Sequence, residues 1–244
     1  MWHASIGIQE VSVAVLEGMV AVVTGTAQGI GRRIGDAVEA AGAVVHRVDR
    51  EQVDLSKSDE AVSYLRDLGK VDILVHSAGG VCGQTHAPIE EITDAAWDEV
   101  VDANLRTAFN AVRAVAPGMK ERGYGRIVTI SSGAGRSVSL TGVQAYTSAK
   151  AGLIGFTRQM AWELGPYGIT VNCIAPGFVL SNPTTQKQWD SYGPDGQAAL
   201  VSRIATRRTG IPEDIARGAL FFVDPDAGWV SGQTLSIDGG HSLF

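Results

Sequence analysis

Tyr146 and Lys150 stand four positions apart in a stretch of helical spacing, so their side chains share one face and can act together. That spacing recurs by chance in unrelated chains, and its weight depends on what surrounds it. A second cluster, Thr24-Gly25-Thr26-Ala27-Gln28-Gly29-Ile30-Gly31, follows an apolar β-branched run and opens directly into a helical segment. Glycines there let the backbone turn sharply and approach a pyrophosphate, whose charge is favoured by the free N–H groups of a helix N-terminus. A tight turn needs the same residues, but a strand before it and a helix after it favour a dinucleotide site. Asp49 closes the next strand, 24 residues beyond Gly25. A carboxylate there accepts hydrogen bonds from the adenosine ribose hydroxyls and repels a 2′-phosphate, unless it simply marks a solvated strand end. Gln28 offers a 2′-phosphate nothing. NAD is therefore expected over NADP, with Arg50 softening the discrimination.

The elements that must position these residues follow from hydrophobic period. Short β-branched runs at 20–23, 43–48, 71–75, 126–130, 169–174 and 232–237 alternate with helical patterns at 30–41, 97–120 and 145–164. That alternation is the pattern of βαβ units feeding a parallel sheet with helices on both faces. With 244 residues and 45% hydrophobic content, the chain can bury one substantial core. The expected fold is thus α/β, a three-layer doubly wound parallel sheet of Rossmann type, in one domain over residues 16–244. Residues 1–15 read as an N-terminal extension, either flexible or in contact with another subunit. The stretch 181–210, polar and carrying Trp189 and Tyr192, is either a substrate lid or a variable surface loop.

Composition excludes several classes. Twenty basic against 26 acidic residues leave a net charge of −6, which argues against a nucleic-acid partner. The two cysteines, Cys82 and Cys173, read as buried thiols in a reducing, cytoplasmic setting. No run is long and apolar enough to span a membrane. The histidines show no ligand spacing, so no metal site is expected. His76, ending a buried strand, reads as a structural histidine.

Taken in order, the motifs resemble the short-chain dehydrogenase/reductase family: the turn at 24–31, Asp49, Ala78-Gly79, Asn104, Ser132, Tyr146 with Lys150, Pro176-Gly177 and Ser236-Ile237-Asp238-Gly239-Gly240. The resemblance implies an oxidoreductase with Asn104, Ser132, Tyr146 and Lys150 as its catalytic set. Tyr146 would exchange a proton with the substrate oxygen while hydride moves to or from a nicotinamide. A phenol titrates near 10, so it needs the positive charge of Lys150 and of oxidised nicotinamide to work as a base. Lys150 would also hold the nicotinamide ribose, Ser132 would orient the substrate oxygen, and Asn104 would hold a relay water. Ser132 lies one position further from Tyr146 than is usual, so Ser131 stays a second candidate. The resemblance places the dinucleotide against Gly25, Gln28, Gly29, Ile30, Gly31, Asp49, Asp54, Leu55, Ala78, Gly79, Tyr146, Lys150, Pro176, Gly177, Val179 and Ser181. It also implies a homotetramer formed through the long helices and the last strand.

Two departures stand out. His76-Ser77 replaces a pair of asparagines before Ala78-Gly79, and only a few residues separate Asp49 from Asp54. The crossover between strands two and three of the family is therefore shortened, and the third strand is expected to be short or irregular at the sheet edge. The substrate expected is a small secondary alcohol or ketone: a polyol, sugar, hydroxy acid or cyclic alcohol, with Trp189, Tyr192, Gln186 and Lys187 near it. The alternative is a 3-oxoacyl thioester on acyl carrier protein or CoA, met by Arg203, Arg207 and Arg208. A binding module without turnover is disfavoured, since it needs no proton-transfer set.

Overall fold

Alternation along each strand sorts the core into two layers. The protein, described here from a computed structural model, is resolved as to placement over residues 15–243, and the expected extension lies almost wholly outside them. Strands β1 (Val20–Thr24), β2 (Val44–Val48), β3 (Ile73–His76), β4 (Gly125–Ile130), β5 (Ile169–Pro176) and β6 (Thr234–Ile237) form one parallel sheet in the order β2-β1-β3-β4-β5-β6. Ala21, Val23, Ile73, Val75 and Val128 point to one face, where they meet helices α1 (Gly29–Ala40) and α8 (Pro212–Val223) through Ile34, Val38, Ile215 and Phe222. Val22, Leu74, Ile127 and Val171 point to the other, against α2 (Ser58–Asp67) through Leu65 and α4 (Thr107–Arg122) through Val115 and Met119. Helix α5 (Gln144–Leu164) packs on the same face. Period-two strands between amphipathic helices thus give the doubly wound three-layer fold.

Strand order reverses between β1 and β3, and the crevice outside the carboxyl ends of those strands is where such sheets bind ligands. Gly25 follows β1 and Ser77 follows β3, so both turns open into that crevice. No helix among the described residues is long and apolar enough to cross a membrane.

Three expectations are corrected. Residues 49–57 form turns and no strand, so β2 is the sheet edge and the chain passes directly into α2. The segment is too short to cross over and pair in parallel. The long helix expected over 97–120 is two, α3 (Asp94–Val101) and α4, joined by a π turn at Asp102–Arg106. Such one-turn bulges recur at functional sites. The stretch 181–210 carries two helices, α6 (Pro183–Ser191) and α7 (Gly193–Arg203). Asn182 accepts from Thr185 N–H, and Thr185 answers with its hydroxyl to Asn182 N–H, a capping box that starts α6 in a polar sequence with little hydrophobic signal.

Candidate active site

The glycine turn owes its shape to steric necessity. A Cβ on Gly31 would stand 2.1 Å from the Gly25 carbonyl oxygen, and one on Gly25 would stand 2.8 Å from Ala78 N. Gly25 and Gly29 also take positive φ of 73° and 62°. Gln28 caps α1 without a side-chain hydrogen bond, and the first turn holds no acid, so the helix presents bare N–H groups and the positive end of its dipole. These features fit a bound pyrophosphate. Asp49 projects beside the same turn and accepts from Ala27 N–H at 2.8 Å and Arg50 N–H at 2.8 Å, leaving lone pairs for ribose hydroxyls. Asp54 accepts from the backbone and hydroxyl of Ser56, which hold its carboxyl below the usual carboxylate range.

Across the cleft, Tyr146 lies in the first turn of α5, and Lys150 lies one turn further on the same face with its ammonium 5.7 Å from the Tyr146 ring centroid. Both are buried. Burial pushes the Tyr146 phenol up, while the Ser132 hydroxyl beside it pulls the other way. Burial lowers Lys150 to about 8, and Lys150 Nζ donates to the Ile130 carbonyl at 2.9 Å. Ser132 Oγ accepts from Ala134 N–H at 3.2 Å, whereas Ser131 is buried and donates to the Lys150 carbonyl at 2.8 Å. The two serines therefore separate: Ser132 stands at the phenol and Ser131 braces α5.

One cleft of about 1210 Å³ joins these groups. Of the residues expected from sequence, Gly25, Gln28, Ile30, Gly31, Asp49, Asp54, Leu55, Ala78, Gly79, Ser132, Tyr146, Lys150, Pro176, Gly177, Val179 and Ser181 line it. Gly29 does not, because it packs beneath Ser181, whose carbonyl oxygen would be 3.0 Å from a Cβ there. Asn104 sits behind the wall in the π turn, fully buried. Its amide donates to the Val100 and Gly80 carbonyls, each at 2.7 Å, and accepts from Gly80 N–H at 3.0 Å, which leaves one lone pair of Oδ1 uncommitted.

At the substrate end the sequence reading picked other side chains than the structure presents. Trp189 and Tyr192 fold back on Phe178, with ring centroids at 5.8 and 5.9 Å, and the cleft is lined instead by Phe178, Thr184, Gln188 and His241, together with Arg203, which the thioester alternative had named. Gln186 and Lys187 do not line it either. In a polar two-helix excursion no period told which side would face in. Cys82 is only half-buried and lines the cleft, while Cys173 is fully buried as expected. His76 is buried and hydrogen-bonded at both ring nitrogens, in line with its structural reading. Among the described residues no group of histidines, cysteines and carboxylates is placed to hold a metal ion.

A family model described as enoyl-(acyl carrier protein) reductase, within the short-chain dehydrogenase/reductases, matches residues 52–242. A subunit of a hydroxy(phenyl)methyl-succinyl-CoA dehydrogenase from Thauera aromatica is 34% identical over 94% of this chain and 98% of its own. The crystal structure of a 3-oxoacyl-[acyl-carrier protein] reductase with bound NAD from Brucella melitensis has a TM-score of 0.84 at 30% identity, covering 100% of this chain and 99% of that one. A protein from Beutenbergia cavernae assigned as an NAD(P)-dependent gluconate 5-dehydrogenase, with NADP bound at low occupancy, has a TM-score of 0.84 at 33% identity, covering 94% and 98%.

Proposed function

Since the chain belongs to the short-chain dehydrogenase/reductase family and is an oxidoreductase of that family, we propose that it interconverts a small secondary alcohol and its ketone with NAD as the preferred dinucleotide. The observation that carries this reading is the sharing of one cleft by Tyr146, Ser132 and Lys150 with the glycine turn and Asp49.

A dinucleotide bound along the turn supplies the hydride donor or acceptor. Ser132 presents the substrate oxygen to the Tyr146 hydroxyl. In the reductive direction Tyr146, whose phenol is pushed up by desolvation, gives its proton to the forming alkoxide. In the oxidative direction it takes the proton. The Lys150 charge and the N-terminal end of α5 then favour the phenolate, each pKa unit corresponding to about 1.4 kcal/mol. Two of the three Lys150 donors remain after its bond to Ile130, enough to hold ribose hydroxyls. Asn104 anchors the Gly80 loop behind this set and offers its remaining lone pair to a relay water.

NAD preference rests on Asp49, the only carboxylate hydrogen-bonded to the glycine turn among the described residues. A second reading, reduction of a 3-oxoacyl thioester, is favoured by the activities named for the Brucella and Thauera relatives. Of the three arginines that would meet a carrier's phosphate, Arg208 is paired with Asp214 and Arg207 donates to Ser202, so of these three only Arg203 lines the cleft. That argues for a small substrate. A homotetramer is supported by exposed apolar side chains on the surfaces such an assembly would cover, Phe109 and Trp162 on α4 and α5, and Phe221, Trp229 and Leu235 around α8 and β6.

The test is turnover with NAD or NADP, followed at the nicotinamide absorbance, across polyols, sugar acids, hydroxy acids, cyclic alcohols and acyl thioesters. Tyr146→Phe is expected to lower kcat roughly a hundred- to ten-thousand-fold while leaving dinucleotide affinity unchanged. Failure of the wild-type protein to bind either dinucleotide would overturn the reading.

A further inference from the structure

The imidazole of His76 is wholly buried at the end of β3, between the glycine turn and α4. Its Nδ1 lies 3.1 Å from the Thr24 hydroxyl and its Nε2 lies 3.2 Å from the Thr107 hydroxyl. Thr24 Oγ1 also accepts from Ser77 N–H at 3.1 Å and Ala78 N–H at 3.2 Å. A hydroxyl has one proton and two lone pairs. With both lone pairs of Thr24 engaged, its proton goes to His76 Nδ1, which is therefore unprotonated. The ring proton sits on Nε2 and goes to Thr107 Oγ1, whose own proton goes to the Ala103 carbonyl at 2.9 Å. Every link in the chain from Ser77 and Ala78 to Ala103 thus has a fixed direction, and a second ring proton has no acceptor. Burial and the nearby Lys150 charge, which hold the ring at about 3, agree with this.

The chain joins three functional pieces. Thr24 precedes Gly25, which packs face to face with Ala78 where the dinucleotide would run. Thr107 opens α4 immediately after the π turn that carries Asn104, and Asn104 in turn holds Gly80. The loop 77–80 is therefore clasped at its start by Thr24 and His76 and at its end by Asn104.

We propose that His76 is a positioning residue: a neutral imidazole with its proton on Nε2 that locks the glycine turn and the Ala78-Gly79 wall of the dinucleotide groove to the π turn behind the catalytic set. The inference rests on the dinucleotide reading of the cleft given above. Replacing two asparagines by histidine and serine thus keeps the turn's polar anchoring and extends it, since the ring reaches across to α4 and touches both neighbours at once.

Two measurements test it. Long-range 15N–1H correlation on the wild-type protein is expected to show His76 with Nδ1 unprotonated and Nε2 protonated, unchanged between pH 5 and 9. A protonated Nδ1, or a ring that titrates in that range, would overturn the proposal with no need for turnover or for a variant to fold. In the second, asparagine places an acceptor where Nδ1 stood and glutamine places a donor where Nε2 stood. His76→Asn keeps only the Thr24 end of the bridge and His76→Gln only the Thr107 end, so each is expected to weaken dinucleotide Kd three- to tenfold, and His76→Phe, which keeps neither, tenfold or more. For His76→Phe, kcat at saturating dinucleotide should fall less than kcat/KM. Wild-type Kd in either single-link variant, or equal Kd in all three, would overturn the proposal. Should wild type bind no dinucleotide while its tautomer is as stated, the functional reading fails and the hydrogen-bond assignment stands.

Discussion

At the dinucleotide end of the cleft the wall is largely backbone, whereas at the substrate end it is side chains carried by α6, α7 and the loop after β6. Gly25, Gly31, Ala78 and Gly79 present main chain, and the polar groups beneath them, Thr24, His76 and Asn104, are buried and hydrogen-bonded. Phe178, Gln188, Arg203 and His241 present rotatable groups of four different chemistries. On the proposed reading, the first end meets what all dinucleotides share. The second is free to vary, because nothing in the sheet depends on which side chains stand there.

If the backbone end is as tightly fixed as its geometry implies, adding one methyl group should damage it most. Gly31→Ala brings a Cβ to 2.1 Å from the Gly25 oxygen, a main-chain atom that can move only by opening the turn. We expect dinucleotide Kd to rise at least about a hundredfold and stability to fall by about 2 kcal/mol, a Tm loss of roughly 4–8 °C. Helix propensity alone predicts the opposite sign, a gain of about 1 kcal/mol. Thermal unfolding and dinucleotide titration decide between them.

The buried polar anchoring at this end should also register in acid. An ordinary histidine titrates at 6.5, and His76 is held at about 3 in the folded chain. As pH falls below 6.5 the unfolded state takes up the proton first, so stability is lost progressively down to about 3, at up to about 1.4 kcal/mol per pH unit. His76→Asn removes that contribution. Urea unfolding at pH 7 and pH 5 should show a smaller acid loss in the variant, and equal slopes would count against a buried neutral ring.

The contrast between the two ends also explains what could be read from the sequence. Steric demands such as those at Gly25 and Gly31 admit only glycine, and the proton transfer proposed at Tyr146 with Lys150 calls for a particular residue type and spacing, so the sequence could single those positions out. Alternation in 20–23 and 126–130 placed the sheet. Period could not show the π turn at 102–106, since a one-residue bulge leaves the apolar pattern nearly intact, nor could it choose between Trp189 and Gln188 on a short polar helix whose register depends on packing against Phe178. The missing edge strand at 49–57 was half visible: the count of residues forbade a full crossover without saying that no strand would form.

A smaller effect is expected from a test of the proposed preference for NAD. Asp49 touches the glycine turn through Ala27, so Asp49→Ser keeps a hydrogen-bonding group and removes only the charge that repels a 2′-phosphate. We expect the ratio of kcat/KM for NAD over NADP to fall about tenfold, equivalent to about 1.4 kcal/mol. Arg50 stands ready to meet the phosphate in the variant. An unchanged ratio would show that discrimination lies elsewhere.

The smallest effect, and the one that speaks for the substrate end, concerns Arg203. Its segment is tied down by Thr206 N–H donating to the Gly239 carbonyl at 3.0 Å, which sets the end of α7 against the loop after β6, beside Pro176-Gly177. Arg208 is satisfied by Asp214, and Asp238 in the facing loop is committed to the N–H groups of Gly240 and Ser242. Arg203 lines the cleft with no ion pair to any described residue, at the end opposite Asp49. A guanidinium so placed suits a substrate carrying a carboxylate or phosphate. Because it is exposed and screened, its contribution is modest. Arg203→Ala should raise KM for a carboxylate-bearing alcohol roughly three- to tenfold, more at low salt than high, and leave kcat and the KM of a neutral polyol of the same length unchanged. Equal losses for acid and polyol would mean that Arg203 only braces α7, and the substrate end would then be selected by shape alone.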